Sequence, residues 1–468
     1  MKLPKCQVEN PEMPFLPFHQ VDDRFLSIEK QEKRWRVMRR VPFYWLFGGW
    51  ICLSFFFLHG PEVSAAELQT FLLSGVEKAL NLDEKGAMAE LRNAIELDRE
   101  NPIGYAFLAM NHLFFYETSF SEKEKKTEEA SLLKAVEDAR TRAEKRIEKD
   151  PKDGGTYFSL ALEAMVKDRY EMSRRNYYRA FREAQRVWEY LEKTREMDPA
   201  NFDVYYPMGI IHYYLAQLSG IARGVASVFI TSADREKGLK ELELAAEKGY
   251  FLKDMAQSNL ISIYNGYEKQ PGRALPLARR LKEKYPDNYN FSFALADILS
   301  SLGQSEEAFS LAGEIEKGIK EEVPPYRTEL LPRYQQLQGK LYLDQGDYEK
   351  AEEYFKLVLK DTAPYNARVR AWALVRLGMI RDARKERKLA EEYYQKALEV
   401  EGAEGVAQRA AKEYLDTPYS PPMIKGKNRK DSLGGPSQKE TSGPQSSSLI
   451  SSMTSPSSSP TEREREGL

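Results

Sequence analysis

The feature of the sequence that most constrains its fold is a four-residue pattern that occurs twice between Arg333 and Glu401. In each copy a glycine is followed after twelve residues by alanine, after four more by an aromatic residue, and after three more by valine or alanine. These residues are Gly339, Ala351, Phe355 and Val358, then Gly378, Ala390, Tyr394 and Ala397. Small residues at this spacing let two antiparallel helices approach closely, and the aromatic ring fills the space beside them. The pattern therefore predicts stacked helix pairs, because one pair alone leaves an apolar face uncovered.

The same twelve-residue interval occurs earlier in the chain. It separates Gly75 from Ala87, and two further copies, starting at Ser262 and Ala296, are offset by 34 residues. This pattern resembles the tetratricopeptide repeat (TPR) family. The resemblance implies an all-α fold, an α-solenoid of about seven to nine stacked antiparallel helix pairs in a TPR-like superhelix. It implies little about function.

The central segment 203–250 departs from the regular pattern. A predicted helix is followed by an apolar insertion at residues 219–234 and then by a helix with Gly238, Leu242 and Ala245 at the usual spacing. This arrangement bears a weak resemblance to the central region of the Iml2-like TPR proteins. The insertion either folds back between helix pairs or contacts a membrane or partner, since exposed apolar patches mark interaction sites.

A membrane-targeting signal precedes the repeats. The eighteen residues Val41–Leu58 carry no charge, with arginines before them and glutamates after them, so the positive-inside rule places the repeats outside the cytoplasm. Ser64 and Ala66 match the small-residue positions of a signal-peptidase site. Either Met38 is the start and the chain is cleaved before Ala66 or Glu67, or Met1 is the start and an uncleaved anchor remains.

The composition changes along the chain predict six segments. They are a polar N-terminal extension (1–37), a signal peptide or signal anchor (38–66), N-terminal TPR-like helix pairs (67–202), the irregular helix pair with its apolar insertion (203–250), a C-terminal TPR array (251–416) and a disordered tail rich in serine and proline (417–468). Within the second repeat unit, we expect a long helix from about Glu128 to Lys149.

The residues that usually carry catalysis or bind metals are scarce. Cys6 and Cys52 are the only cysteines, and four histidines occur, of which His112 and His212 fall in predicted helices and are interpreted as packed residues. The sequence contains no glycine-rich phosphate loop, GxSxG, HExxH or CxxC motif. The 70 basic and 72 acidic residues nearly balance. We therefore predict no enzymatic activity, no cofactor, no metal and no nucleic-acid partner.

Two surfaces are candidates for binding. The TPR resemblance implies a concave groove lined by the first helix of each pair, here by Asn259, Asn290, Phe293, Asp297, Arg333, Gln336, Lys340, Trp372, Val375 and Met379. Separately, Arg174, Arg175 and Arg179 lie in a segment that mixes arginines with aromatic residues, which indicates either a solvated helix face or a contact with an anionic surface.

These features together predict a non-enzymatic scaffold that binds protein or peptide partners in the bacterial cell envelope, periplasmic or anchored at the inner membrane. The alternative is a membrane-anchored structural component of an envelope assembly or secretion machine, contacting lipid through its basic and apolar surfaces. The oligomeric state is left open.

Overall fold

A computed structural model describes residues 65–218, 220, 223–224, 227 and 231–421 of the chain, and in this part all regular structure is helical. The α-helices are α1 (Ala65–Leu80), α2 (Glu84–Leu97), α3 (Pro102–Thr118), α4 (Glu122–Lys149), α5 (Gly154–Ser173), α6 (Tyr177–Met197), α7 (Tyr205–Leu215), α8 (Arg235–Lys248), α9 (Lys253–Ser262), α10 (Pro271–Lys284), α11 (Tyr289–Ser301), α12 (Ser305–Lys320), α13 (Leu331–Asp344), α14 (Tyr348–Val358), α15 (Ala367–Ala383), α16 (Arg387–Leu398) and α17 (Val406–Asp416). One π-helical turn, Ile263–Tyr267, continues α9.

Consecutive helices pack as eight pairs in the described residues, from α1–α2 to α15–α16, and α17 covers the last pair by packing on both α15 and α16. The first helices of neighbouring pairs also contact one another, as α3 does α5 and α13 does α15. This is the stacking of a solenoid, in which each pair covers the apolar face of the next. The prediction of an all-α solenoid is confirmed.

The packing of the strongest repeats follows the predicted spacing. The rings of Phe355 and Tyr394 are fully buried, and each lies directly against the glycine of its own repeat. A Cβ atom built on Gly339 would lie 2.5 Å from Cε1 of Phe355, which is shorter than any van der Waals contact between two carbon atoms. A Cβ on Gly75 would likewise meet Leu91 at 2.7 Å. Glycine is therefore required at the crossing because the aromatic or leucine side chain occupies that space.

The α7–α8 pair uses two glycines at its crossing. A Cβ on Gly209 would lie 2.8 Å from the carbonyl oxygen of Gly238, and a Cβ on Gly238 would lie 2.5 Å from the backbone nitrogen of Tyr213. The two backbones thus touch directly. After α8, Asp203 accepts three backbone N–H bonds, from Tyr250 (3.0 Å), Phe251 (3.1 Å) and Leu252 (2.8 Å). These bonds fix the turn into α9.

The long second helix of the second pair begins earlier than expected. The sequence predicts α4 from about Glu128, whereas it begins at Glu122 and ends at Lys149 as predicted. The Ser121 hydroxyl accepts a hydrogen bond from the backbone N–H of Glu124 at 3.1 Å. Glu122 and Glu124 also place negative charge in the first turn, where the helix dipole favours it. The charged segment is therefore helix rather than linker.

The superhelix brings distant parts of the chain into contact. The end of α1 meets the turn between α10 and α11, where the side chain of Asn288 donates a hydrogen bond to the carbonyl oxygen of Leu80 at 2.6 Å. The Asn81 side chain donates to Asp287 (2.8 Å) and accepts from the Asp287 backbone N–H (3.1 Å). We call these contacts between residues 80–81 and 287–288 the clasp. No such contact follows from the repeat pattern.

Three predicted segments lie wholly or almost wholly outside the described residues. They are the N-terminal extension (1–37), the signal peptide or anchor (38–66) apart from Ala65 and Ala66 in α1, and the tail (417–468) apart from residues 417–421. Most of the apolar insertion 219–234 also lies outside them. Among the residues that are described, no helix has both the length and the apolar character needed to cross a membrane.

Candidate functional site

The predicted groove residues divide into two groups in the structure. Six are partly exposed along the first helices of consecutive pairs and four are buried. The partly exposed residues are Asn290, Asp297, Arg333, Gln336, Trp372 and Met379, and the buried ones are Asn259, Phe293, Lys340 and Val375. Because the first helices stack side by side, the six partly exposed residues follow one face of α11, α13 and α15.

The four buried side chains are taken up by contacts inside the array, which corrects their expected position on the groove surface. Val375 has no exposed surface and packs in the cluster that contains Ala390 and Tyr394. The side-chain amide of Asn259 donates to the Tyr206 hydroxyl at 3.0 Å. Phe293 is covered by the guanidinium of Arg333, which lies 4.3 Å from the ring centroid. Burial of these residues leaves the six others as the candidate contact surface, whose partner-binding role stays a prediction.

A charged network fixes the polar side chains of this face. The Asp297 carboxylate accepts a hydrogen bond from Asn265 at 2.7 Å, and its Oδ1 lies 3.7 Å from both Lys340 Nζ and Arg376 Nη2. Lys340 also donates to Asp344 at 2.7 Å. Burial alone would raise the pKa of Asp297, but the two cations hold that pKa below its ordinary value. The network is therefore ionised and pre-positioned.

Aromatic rings order the two arginines of the same face. Arg333 combines its contact with Phe293 with a hydrogen bond to Asn290 Oδ1 at 2.6 Å. Arg376 lies 4.8 Å from the ring centroid of Trp372, and burial lowers the pKa of its guanidinium. Contacts of this kind stabilise a cation where solvent is partly excluded. Arg376 is buried like Lys340 and was not among the predicted residues, although an arginine one turn after Trp372, between Val375 and Leu377, is a visible signal.

The second candidate surface is largely neutralised within the chain. Arg175 Nη1 lies 3.2 Å from Glu401 Oε1, and Arg175 Nη2 lies 3.7 Å from Glu404, so this residue joins the α5–α6 turn to the segment before α17. Arg174 lies 3.9 Å from Glu129. Arg179 is exposed on α6. Two of the three predicted arginines thus have carboxylate partners that are distant in sequence.

The two histidines of the repeats are paired inside helix pairs. His112 Nδ1 lies 2.7 Å from Glu128 Oε2, and His212 Nδ1 lies 2.5 Å from Glu241 Oε2, and all four side chains are nearly or fully buried. Each pair joins the first helix of a repeat to its second helix. Within the described residues, no group of three or more histidine, cysteine or acidic side chains could hold a metal ion.

Comparison with known proteins agrees with this architecture. The sequence model of the tetratricopeptide repeat family matches residues 332–360 and 373–403. These ranges contain α13 without its first residue, all of α14, most of α15 and all of α16. No curated protein matches the sequence significantly.

Among solved structures, the chain is similar to the human IFIT1 dimer with m7Gppp-AAAA, at 16% identity over 74% of this chain and 80% of that chain, with a TM-score of 0.37. It is also similar to the P58(IPK) TPR domain, at 12% identity over 75% of this chain and 98% of that chain, with a TM-score of 0.19. The family model and the helix pairs that the matched residues form show that the chain contains two tetratricopeptide repeats, at residues 332–360 and 373–403.

Proposed function

We propose that this protein is a non-enzymatic scaffold that binds a segment of a partner protein along the face formed by α11, α13 and α15. The observation that carries the proposal is the row of partly exposed side chains, Gln336, Trp372 and Met379 among them, set between ordered arginines. An extended peptide has both the apolar side chains and the free backbone amides that such a row recognises, and a helical peptide has the apolar side chains. The fixed charges lower the entropic cost of binding because they are already positioned.

The direct test is a selection of peptides from a random displayed library on the full-length chain. We expect enriched peptides whose affinity falls by about tenfold or more in Trp372→Ala, since buried aromatic anchors dominate such interfaces. Gln336→Ala gives a second variant that leaves the apolar packing intact. Leu389→Ala, at an exposed position on α16, is the matched control and is expected to bind normally. A library without enriched peptides would refute the proposal.

We further propose that the scaffold acts outside the bacterial cytoplasm on partners in the cell envelope. This proposal is supported by the order of residue types in segment 38–66, where basic residues are followed by an apolar run and then by small residues. Cleavage before Ala66 or Glu67 would remove only the first one or two residues of α1. Cell fractionation with intact-mass measurement tests this proposal: a mature chain starting at Ala66 or Glu67 in the periplasm, or an intact chain in the inner membrane, supports it. A full-length chain in the cytoplasm would contradict it.

A second candidate function is contact with an anionic membrane, as part of an envelope assembly. It is favoured by one observation: Tyr178, which is 62% exposed, lies beside the exposed Arg179 on α6. Flotation with vesicles of anionic phospholipid tests it. Salt-sensitive binding that is lost in Arg179→Glu and weakened in Tyr178→Ser would support it. Arg175 is left unchanged because its reversal would also disrupt the contact with Glu401.

A further inference from the structure

A cavity lies between the first helices of the N-terminal pairs and α9. Its water-accessible volume is about 50 Å³. The walls are mainly apolar side chains from α1, α3 and α9, including Val76, Leu80, Phe107, Met110, Leu113 and Met255. Met255 is distant in sequence from the other wall residues, so the winding of the superhelix, and not one repeat, builds this cavity.

One polar side chain in the wall has no hydrogen-bond partner. Asn111 of α3 is only 4% exposed, and neither its Oδ1 nor its Nδ2 is bonded to any described group. A buried amide without partners is costly, and native proteins retain few of them. Most buried amides are hydrogen-bonded, as is that of Asn259 on α9, which donates to the Tyr206 hydroxyl. The amide of Asn111 thus presents one free donor and one free acceptor group in an otherwise apolar wall.

The cavity is bordered by an ion pair at one end. Arg169 Nε donates to Glu117 Oε1 at 2.5 Å, and their side chains remain 19% and 14% exposed. Because both residues belong to the cavity wall, this end is in contact with solvent. A ligand can therefore enter beside the ion pair without opening the packed interface between α1 and α3.

We propose that this cavity binds one aliphatic side chain of a partner peptide, and that Asn111 hydrogen-bonds the backbone N–H and C=O of the residue that carries this side chain. In an extended peptide, the N–H donor and the C=O acceptor of one residue point to the same side of the chain, and together they are the complement of the free amide. An apolar cavity of about 150 Å³ holds benzene, so one of a third that size suits the end of a valine or leucine side chain. The inference rests on the proposed scaffold function and adds a binding position remote from α11, α13 and α15.

The probe is N-acetyl-L-leucine N-methylamide, which contains the side chain and both neighbouring peptide groups. We expect full-length protein to bind it in the millimolar range by ligand-observed NMR, and N-acetylglycine N-methylamide to show no binding. Asn111→Leu should weaken the leucine amide by about tenfold or more, because both hydrogen bonds are lost. Ala79→Leu, which adds bulk at the cavity wall, should do the same.

Stability measurements separate this effect from misfolding. Asn111→Leu should raise Tm, because it removes a buried amide that has no partner in the free protein. Asn366→Leu is the matched control: that buried amide bonds to Asp361 at 3.1 Å, so its loss should lower Tm and leave leucine amide binding unchanged. If Asn111→Leu has a higher Tm and binds the leucine amide more weakly, its loss of binding cannot be caused by unfolding.

Equal binding of the leucine amide by wild type and Asn111→Leu would overturn the proposal, as would no binding at tens of millimolar probe. Library-selected peptides that need Trp372 but tolerate Asn111→Leu would also overturn it while leaving the scaffold function intact. A library without enriched peptides would refute the scaffold function. In that case, probe binding that depends on Asn111 would assign the cavity to a small amide instead of a peptide.

Discussion

The clasp predicts that two asparagines far apart in sequence hold the first helix pair in place. In a simple solenoid each pair contacts only its neighbours, so α1–α2 would depend on α3 alone. Here Asn288 reaches the carbonyl oxygen of Leu80, and Asn81 exchanges two hydrogen bonds with Asp287. The double variant Asn81→Ala/Asn288→Ser removes these contacts. Serine keeps the ability to cap α11, a role that Asn288 fills by accepting the N–H of Asn290 at 3.0 Å.

The cost can be estimated bond by bond. Loss of the buried Asn288 donor leaves the Leu80 carbonyl group without this hydrogen bond, which costs about 1–3 kcal/mol of stability. The two exposed bonds of Asn81 add about 0.5 kcal/mol each, at the lower end of the usual range. The sum is about 2–4 kcal/mol, which corresponds to a change of about 30-fold or more in the opening equilibrium of α1–α2.

Hydrogen exchange followed by mass spectrometry measures this opening directly. In the double variant we expect amides of α1 and α2 to exchange about 30-fold faster or more, while α13–α16 exchange as in wild type. Asn101→Ser is the matched control, because Asn101 caps α3 locally by accepting the N–H of Ile103 at 3.2 Å. Unchanged exchange in α1–α2 would refute the clasp, and uniform acceleration along the whole chain would show that the effect is global.

Three further predictions concern single residues. Gly238→Ala should destabilise the protein by about 1–3 kcal/mol, because the added methyl group would clash with backbone atoms. Gly313→Ala should stabilise it by about 0.5–1 kcal/mol, because a methyl group there meets no atom within 4 Å. Urea unfolding of the two variants measures both free-energy changes. Burial raises the pKa of Asp168 to about 8, above its unfolded value near 4, so the wild type should lose stability as pH rises between these values. Asp168→Asn should therefore be the more stable protein at pH 8.5 by on the order of 2–5 kcal/mol and equal at pH 4, and equal stability at both pH values would contradict this. Asp203→Ala should cost about 3 kcal/mol in thermal unfolding, since three backbone N–H groups lose their acceptor.

The repeat pattern predicted the helix pairing because that pairing is decided locally. Gly339 and Phe355 lie sixteen residues apart, and their contact depends only on the geometry of one helix pair. The clasp could not be predicted in this way. The clasp depends on small rotations between helix pairs that accumulate over about 200 residues. The total rotation cannot be derived from the spacing of residues within any one repeat.

The groove was predicted in outline and not in detail. Counting from the packing positions placed Gln336 and Trp372 on a partly exposed face, but it also chose Val375 and Phe293, which are buried. Exposure of Phe293 is decided by Arg333, which comes from the next pair and covers the ring. Asn111 was missed, although a single amide among the apolar residues of α3 is a signal that sequence reasoning can use.

We propose that a partner segment lies along the face formed by α11, α13 and α15. The most direct measurement places the photo-crosslinking residue p-benzoylphenylalanine at position 336, or at the exposed position 389 of α16, and maps the products formed with library-selected peptides. We expect strong crosslinking from position 336 and little from position 389. Peptides that crosslink only from position 389, or from neither position, would contradict it.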